Sequence, residues 1–278
     1  MKRLLITLSL VALCAIGLRS QEKTLTFIQI SDPQLGFFDK NQSISADSTN
    51  LAVAIEAVNR LKPDFLVCTG DMVNAGTSKK QLAAYRNLIS KVNKDIPVWH
   101  VPGNHDIGKG AEDRRIELYE SQYGYSRFVF SKGGCTFIGI NSCIIKEHNE
   151  PSEQEQYKWL KRQLRKASKN HNVYIFTHYP FFTKDYTEKE TYSNQSASVR
   201  ERYWSLFKEY GVKAVLAGHL HSTKDTSSDG IRMYTCGPVG KPLGKGYSGA
   251  AVWTLSDGGR TASVRYLSLE ELSTLEKL

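Results

Sequence analysis

Val98-Trp99-His100-Val101-Pro102-Gly103-Asn104-His105-Asp106 joins a short apolar run of strand character to a glycine and then to an amide, an imidazole and a carboxylate. An apolar run that stops at Gly103 and hands over to side chains with ligand and acid–base chemistry is what α/β folds place at the ends of their strands. The same layout recurs on both sides. Asp32-Pro33-Gln34 follows Leu25–Ile30, Gly70-Asp71 follows Phe65–Thr69, His178 follows Val173–Thr177, and Gly218-His219-Leu220-His221 follows Val212–Ala217. Residues two apart at a strand end point the same way, so Asp32 with Gln34, and His219 with His221, are placed to grip one ion or two neighbouring ions. Carboxylates, imidazoles and amide oxygens together suit divalent first-row metals. Gly70, Gly103 and Gly218 let the backbone come close to such ions.

Between these strands, polar and apolar residues recur with helical period near Asp47–Leu61, Ser78–Val92, Arg114–Gln122, Ser152–Ala167 and Ser198–Tyr210. Further strands are expected at Phe137–Ile140 and, in the C-terminal third, at Ile231–Tyr234, Ala250–Leu255 and Ala262–Leu267, before a short acidic helix. Ser131-Lys-Gly-Gly, between Arg127–Phe130 and Cys135–Ile140, reads as a hairpin turn. Strands alternating with helices predict an α/β class of fold. Lys184–Ser198 is polar and aromatic without clear period, a candidate loop near substrate.

The five segments in this order resemble the calcineurin-like metallophosphoesterase family, whose pattern runs D-x-H, G-D, G-N-H-D/E, H and G-H-x-H. The resemblance spans about Thr26 to His221. It implies a four-layer α/β/β/α sandwich with a binuclear metal site at the strand ends. It also implies a ligand set: Asp32, Gln34, Asp71 and His221 for a first divalent ion, and Asp71, Asn104, His178 and His219 for a second, with Asp71 shared. The implied cofactors are two ions drawn from manganese, iron, zinc or magnesium. His105 is implied as the group that contacts the phosphate with Asn104 and protonates the leaving oxygen, and Asp106 as the group that orients it. Two ions roughly 3.5–4 Å apart would acidify a bridging water and neutralise phosphate oxygens for in-line attack.

Gln34 stands where the family usually has histidine, and its amide oxygen is a harder and weaker donor than imidazole, which favours manganese or magnesium. A similar Asp-Pro-Gln occurs in the subgroup resembling calcineurin-like phosphoesterase domain-containing protein 1, described as a Ser/Thr phosphatase. Ala75 replaces the arginine of the G-D-x-x-D-R-G segment of calcineurin-type protein phosphatases, and Asn74 replaces the tyrosine of purple acid phosphatases. The expected activity is hydrolysis of a phosphomonoester on a small molecule or a phosphoprotein. Open beside it are a phosphodiesterase acting on a cyclic nucleotide or lipid head group, and a metal-stabilised scaffold without turnover.

Single histidines are more often structural than ligating, and His100, His148 and His171, outside the motifs, are read that way. Tyr179, Phe181 and Phe182 fit either a pocket wall or the core, and Arg114 and Arg115 a solvated helix face.

Residues 1–20, with Lys2 and Arg3, an apolar run from Leu4 to Leu18 and then Ser20, have the layout of a secretory signal peptide. The run is short of the ~20 residues that span a bilayer, so no stable membrane span is expected. Cleavage leaves one domain over 21–278 and an exported protein, periplasmic or secreted. It lowers the formal charge from +9 to +6, because Lys2, Arg3 and Arg19 leave and no acid does. The remaining bases are scattered, so no nucleic-acid partner is expected. Cys68, inside an apolar run, reads as a buried free thiol.

Overall fold

The computed structural model describes residues 24–167 and 172–278. The expected signal peptide and His171 lie outside the described residues. Eleven strands are present there: β1 (Leu25–Ile30), β2 (Phe65–Cys68), β3 (Val98–His100), β4 (Phe128–Lys132), β5 (Cys135–Gly139), β6 (Asn172–Phe176), β7 (Val212–Ala217), β8 (Lys224–Ser228), β9 (Ile231–Thr235), β10 (Gly249–Ser256) and β11 (Thr261–Ser268). The α-helices are α1 (Ser45–Leu61), α2 (Lys79–Ile89), α3 (Asn104–Ile107), α4 (Asp113–Tyr123), α5 (Ser142–Lys146), α6 (Glu150–Ala167), α7 (Ala197–Glu209) and α8 (Leu269–Thr274).

The strands form two sheets, one ordered β11-β10-β1-β2-β3 and the other β4-β5-β6-β7-β9-β8. In the first, β1, β2 and β3 run parallel. In the second, β5, β6, β7 and β9 do. Strand alternation sorts the side chains into layers. On β1, Phe27 faces the other sheet and stacks between Phe65 and Trp253, with edge contacts to Phe137 and Phe176 across the gap. Ile28 and Ile30 face outward into the core shared with Leu51, Ala54 and Val58 of α1. The helices α1, α2 and α8 cover the outer side of the first sheet, and α6 and α7 that of the second, which makes the four-layer α/β/β/α sandwich.

One polar side chain ties the two sheets together. Gln29, buried on β1, donates through Nε2 to Thr69 Oγ1 (3.1 Å) and to the Ala217 carbonyl of β7 (3.0 Å), and its Oε1 accepts from Trp253 Nε1 (3.1 Å). Both N–H donors and the oxygen of that amide are paired, so its burial costs little.

Three elements lie beyond the sequence reading. The edge strand β8 is Lys-Asp-Thr-Ser-Ser, with no apolar face, and is held by pairing with β9. The helices α3 and α5 are four and five residues long, too short to show a period. In the β4–β5 hairpin the turn is Gly133-Gly134, both at positive φ, while Ser131 and Lys132 belong to the strand. Cys68, Cys135, Cys143 and Cys236 are all buried and unpaired.

Candidate metal centre

The loops that leave the C-terminal ends of the parallel strands continue side by side, as backbone bonds prolong each ladder. Asp32 N donates to Gly70 O (3.1 Å), Gln34 N to Asp71 O (2.8 Å), and Gly218 N to His178 O (3.0 Å). The two sheets meet at this end, where Val239 N donates to Ser31 O and Gly240 N to Asp32 O. Close approach requires glycine twice. A Cβ on Gly103 would lie 2.1 Å from Asp71 Oδ1, and one on Gly218 would lie 1.9 Å from Ser31 Oγ.

All seven expected ligand residues come together here, and five of them sit in left-handed backbone: Asp32 (φ 49), Gln34 (φ 39), Asp71 (φ 53), His219 (φ 75) and His221 (φ 49). Such conformations cost roughly 1–3 kcal/mol each for non-glycine residues and persist where the surroundings over-determine them. Asp71, His178 and His219 each present a ligand atom within 4.8 Å of the others, and so do Asp32, Asp71 and His221. Asp71 is common to both groups.

The outer hydrogen bonds fix which atoms face inward. His178 Nδ1 lies 2.9 Å from the Thr69 carbonyl and must donate to it, which leaves Nε2 as an acceptor. That Nε2 is 2.9 Å from Asn104 Oδ1, 3.2 Å from His219 Nδ1 and 3.5 Å from Asp71 Oδ2. A proton can satisfy only one of these approaches, whereas a cation at their centre satisfies all of them. His221 Nδ1 donates to the Lys241 carbonyl at 2.6 Å, which turns Nε2 toward Asp32 Oδ1 at 3.6 Å. Gln34 Nε2 donates to Asn74 Oδ1 (3.2 Å), and its buried Oε1 has no partner, nor has Asp32 Oδ1. Orphaned buried oxygens, that of Asp32 beside the His221 imidazole, fit divalent cations.

The electrostatics agree with this geometry. Burial pushes the Asp32 carboxyl above its usual range, against the opposing pull of His221 and His178, and the Asp71 carboxylate adds to the rise. Burial also holds the His219 imidazole well below its usual range, helped by His178. Both groups are buried, and a bound cation would relieve the carboxylates and bind the neutral imidazole.

The sequence pattern of the calcineurin-like phosphoesterases matches residues 25–223. The chain belongs to the calcineurin-like phosphoesterase family. Serine/threonine-protein phosphatase CPPED1 of Rattus norvegicus is 31% identical over 266 residues, covering 89% of this chain and 85% of the relative. The protein of the same name from Bos taurus is 32% identical over 266 residues, covering 89% and 84%. A dimetal phosphatase from Danio rerio shares the fold, with a TM-score of 0.63 at 16% identity, covering 88% of this chain and 99% of that one. As a family member the chain is a phosphoric ester hydrolase acting on phosphorylated substrates, and the family works with divalent metal ions.

One expected role is corrected in this phosphoesterase. Asp106 does not orient the His105 ring. Its carboxylate accepts from the backbone N–H groups of Gly103 (2.9 Å) and Val73 (3.2 Å), so it braces the loop, and burial, then the nearby Asp71 carboxylate, push it well above its usual range. The ring of His105 is held instead by the Asn74 carbonyl, 2.9 Å from Nδ1, which leaves Nε2 free. Sequence reading could not find that partner, because a backbone carbonyl leaves no residue signature.

The site also acquires Tyr192, from the loop between β6 and α7 that composition had marked. Asn104 Nδ2 donates to its hydroxyl (3.2 Å), which points Asn104 Oδ1 at His178, and its ring lies 4.9 Å from that of His219. It is 66% exposed and so stands at the mouth of the site. Tyr179 backs the His219 ring from the interior at 4.2 Å, whereas Phe181 and Phe182 pack into the core against Trp204. Arg114 pairs with Glu112 on the surface, Arg115 donates to the Ile107 carbonyl, and His148 is exposed. His100 is buried against the Tyr85 hydroxyl at 3.1 Å, a structural histidine as read. Among the described residues no helix is long and apolar enough to cross a membrane.

Proposed function

We propose that the protein hydrolyses phosphomonoesters at a two-metal centre, in the manner of a Ser/Thr phosphatase. The observation that carries this reading is the sharing of Asp71 between two groups of inward-facing ligand atoms. In this reading Asp32, Gln34, Asp71 and His221 hold one divalent ion, and Asp71, Asn104, His178 and His219 hold the other. Once bound, the pair supplies an acidified water as nucleophile and neutralises the phosphate oxygens. The chain's own residues do the rest. The Thr69 and Lys241 carbonyls hold His178 and His221 in the tautomer that faces inward. Asn104 and His105, at the start of α3, bind the phosphoryl group. In its imidazolium form His105, whose Nδ1–H donates to the Asn74 carbonyl, hands the Nε2 proton to the leaving oxygen and is left as the neutral ring. Manganese and magnesium are the ions this donor set favours, since the Gln34 oxygen is a hard donor.

The relatives named as serine/threonine-protein phosphatases support a phosphorylated protein or small molecule as substrate. With this function we place a signal peptide over 1–20, a phosphoesterase domain over 21–278, and export of the mature protein.

The test is hydrolysis of p-nitrophenyl phosphate and bis-p-nitrophenyl phosphate by protein reconstituted with Mn²⁺, Mg²⁺, Zn²⁺ or Fe²⁺, beside Asp71→Asn. Metal-dependent turnover of the monoester that falls at least about a hundredfold in Asp71→Asn, together with loss of bound metal, is expected. Preference for the diester would replace the monoesterase reading. One bound ion only, without turnover of either ester, would favour a scaffold.

A further inference from the structure

The group that protonates a leaving oxygen also marks where the leaving group departs, so the neighbours of His105 select it. One neighbour is the ring of Phe37, whose centroid lies 6.5 Å from that of His105 and 5.1 Å from that of His221. Over Phe37 and the adjacent Phe38 lies the Lys241 ammonium, 5.9 Å and 5.7 Å from the two ring centroids. All three side chains are half-buried. Among the described residues Lys241 has no carboxylate within ion-pair distance. Its backbone is anchored to the centre as well, because its carbonyl accepts from His221 Nδ1 and Gly240, just before it, donates to the Asp32 carbonyl. A cation held over two aromatic faces, on backbone tied to the metal ligands and without an anion of its own, is positioned to receive one.

Resting on the phosphoesterase reading above, we propose that Phe37, Phe38 and Lys241 form the leaving-group subsite. It takes esters whose leaving group lays a flat apolar segment on the rings and presents a second anionic group to Lys241. A leaving group with an uncharged end forgoes the ion pair and is discriminated against, while the phosphoryl group and its ligands are the same for both.

Two unreactive analogues separate charge from shape: 4-carboxybenzylphosphonate and 4-carbamoylbenzylphosphonate, titrated calorimetrically into the metal-loaded protein. The carboxylate is expected to bind about fivefold more tightly than the carboxamide, the scale of one partly exposed ion pair. In Lys241→Gln the ratio is expected to fall to about one with metal content retained, since the backbone carbonyl that holds His221 is still present. Phe37→Leu should weaken both analogues and preserve the ratio. Equal binding by the unsubstituted protein, no binding of either analogue, or a ratio that survives Lys241→Gln would overturn the subsite. Hydrolysis of the two corresponding phenyl phosphates reads the activity separately. Carboxylate preference without turnover would remove the phosphatase reading alone, and turnover without preference would remove the subsite alone.

Discussion

The Tyr192 hydroxyl reaches the centre through its hydrogen bond with Asn104, and that bond has a defined consequence. Its hydroxyl accepts from Asn104 Nδ2 and so supports the amide orientation in which Oδ1 is directed at His178. Partners of this kind around a metal ligand typically contribute about 10–100-fold to metal affinity or activity. Tyr192→Phe is therefore expected to lower metal affinity about tenfold while keeping the ring against His219. Tyr192→Ala should lose the ring contact as well and raise KM further. A competition titration with a fluorescent chelator, run beside steady-state kinetics, distinguishes the two. Equal metal affinity in Tyr192→Phe and the unsubstituted protein would show that Asn104 keeps its orientation unaided.

At the scale of elements, the loop carrying Tyr192 is held from within. The Glu188 carboxylate accepts from the backbone N–H groups of Thr183 (2.8 Å) and Lys184 (3.0 Å) and from Asn194 Nδ2. Lys146, from α5, donates to Glu190 (2.8 Å) and to the carbonyls of Thr191 and Asn194 (both 2.7 Å). The loop has no strand or helix of its own between β6 and α7, so these polar bonds, with Phe181 and Phe182 packed into the core at its start, position it. Glu188→Ala is expected to open the loop locally and leave the sandwich folded. Hydrogen exchange should speed up across residues 183–196 and stay unchanged in β1 and β2, with KM rising several-fold for every ester. An exchange increase spread over both sheets would mean that the loop supports the fold and not only the site.

Across the whole molecule, acid stability is governed by groups buried in opposite senses. His100 is buried, and desolvation lowers it from 6.5 to about 4. The unfolded chain therefore binds a proton that the folded chain refuses between those values, and stability is lost as pH falls through that window. The contribution is about 3 kcal/mol, and His100→Asn should flatten the urea midpoint between pH 6.5 and 4 by a corresponding amount. Asp32 and Asp106 act with the other sign. Burial raises both, so in metal-free protein they cost stability above their folded values and cost less as pH falls. Chelation is accordingly expected to lower the melting temperature most at neutral pH, with the gap between loaded and chelated protein closing on acidification. A gap independent of pH would mean that the ions act only through mass action on an already satisfied site.

Much of this was legible in the chain itself. Strands such as β1 and β7 carry their alternation or apolar run within six residues, and Gly103-Asn104-His105-Asp106 announces its chemistry by residue type and spacing, because both are local properties. The seven ligand candidates came from such segments read together with the family's pattern. What tertiary structure alone decided involves backbone atoms and long-range approach. The Asn74 carbonyl took the place expected of Asp106 at His105, and the Thr69 and Lys241 carbonyls set the tautomers of His178 and His221. Tyr192 met Asn104 across 88 positions of sequence. Every residue carries the same carbonyl, so residue identity is silent about which one a side chain will meet. Strand pairing within the first sheet brings Asn74 to His105, and the packing of the two sheets, through Phe27 and its neighbours, brings Thr69 to His178 and Tyr192 to Asn104.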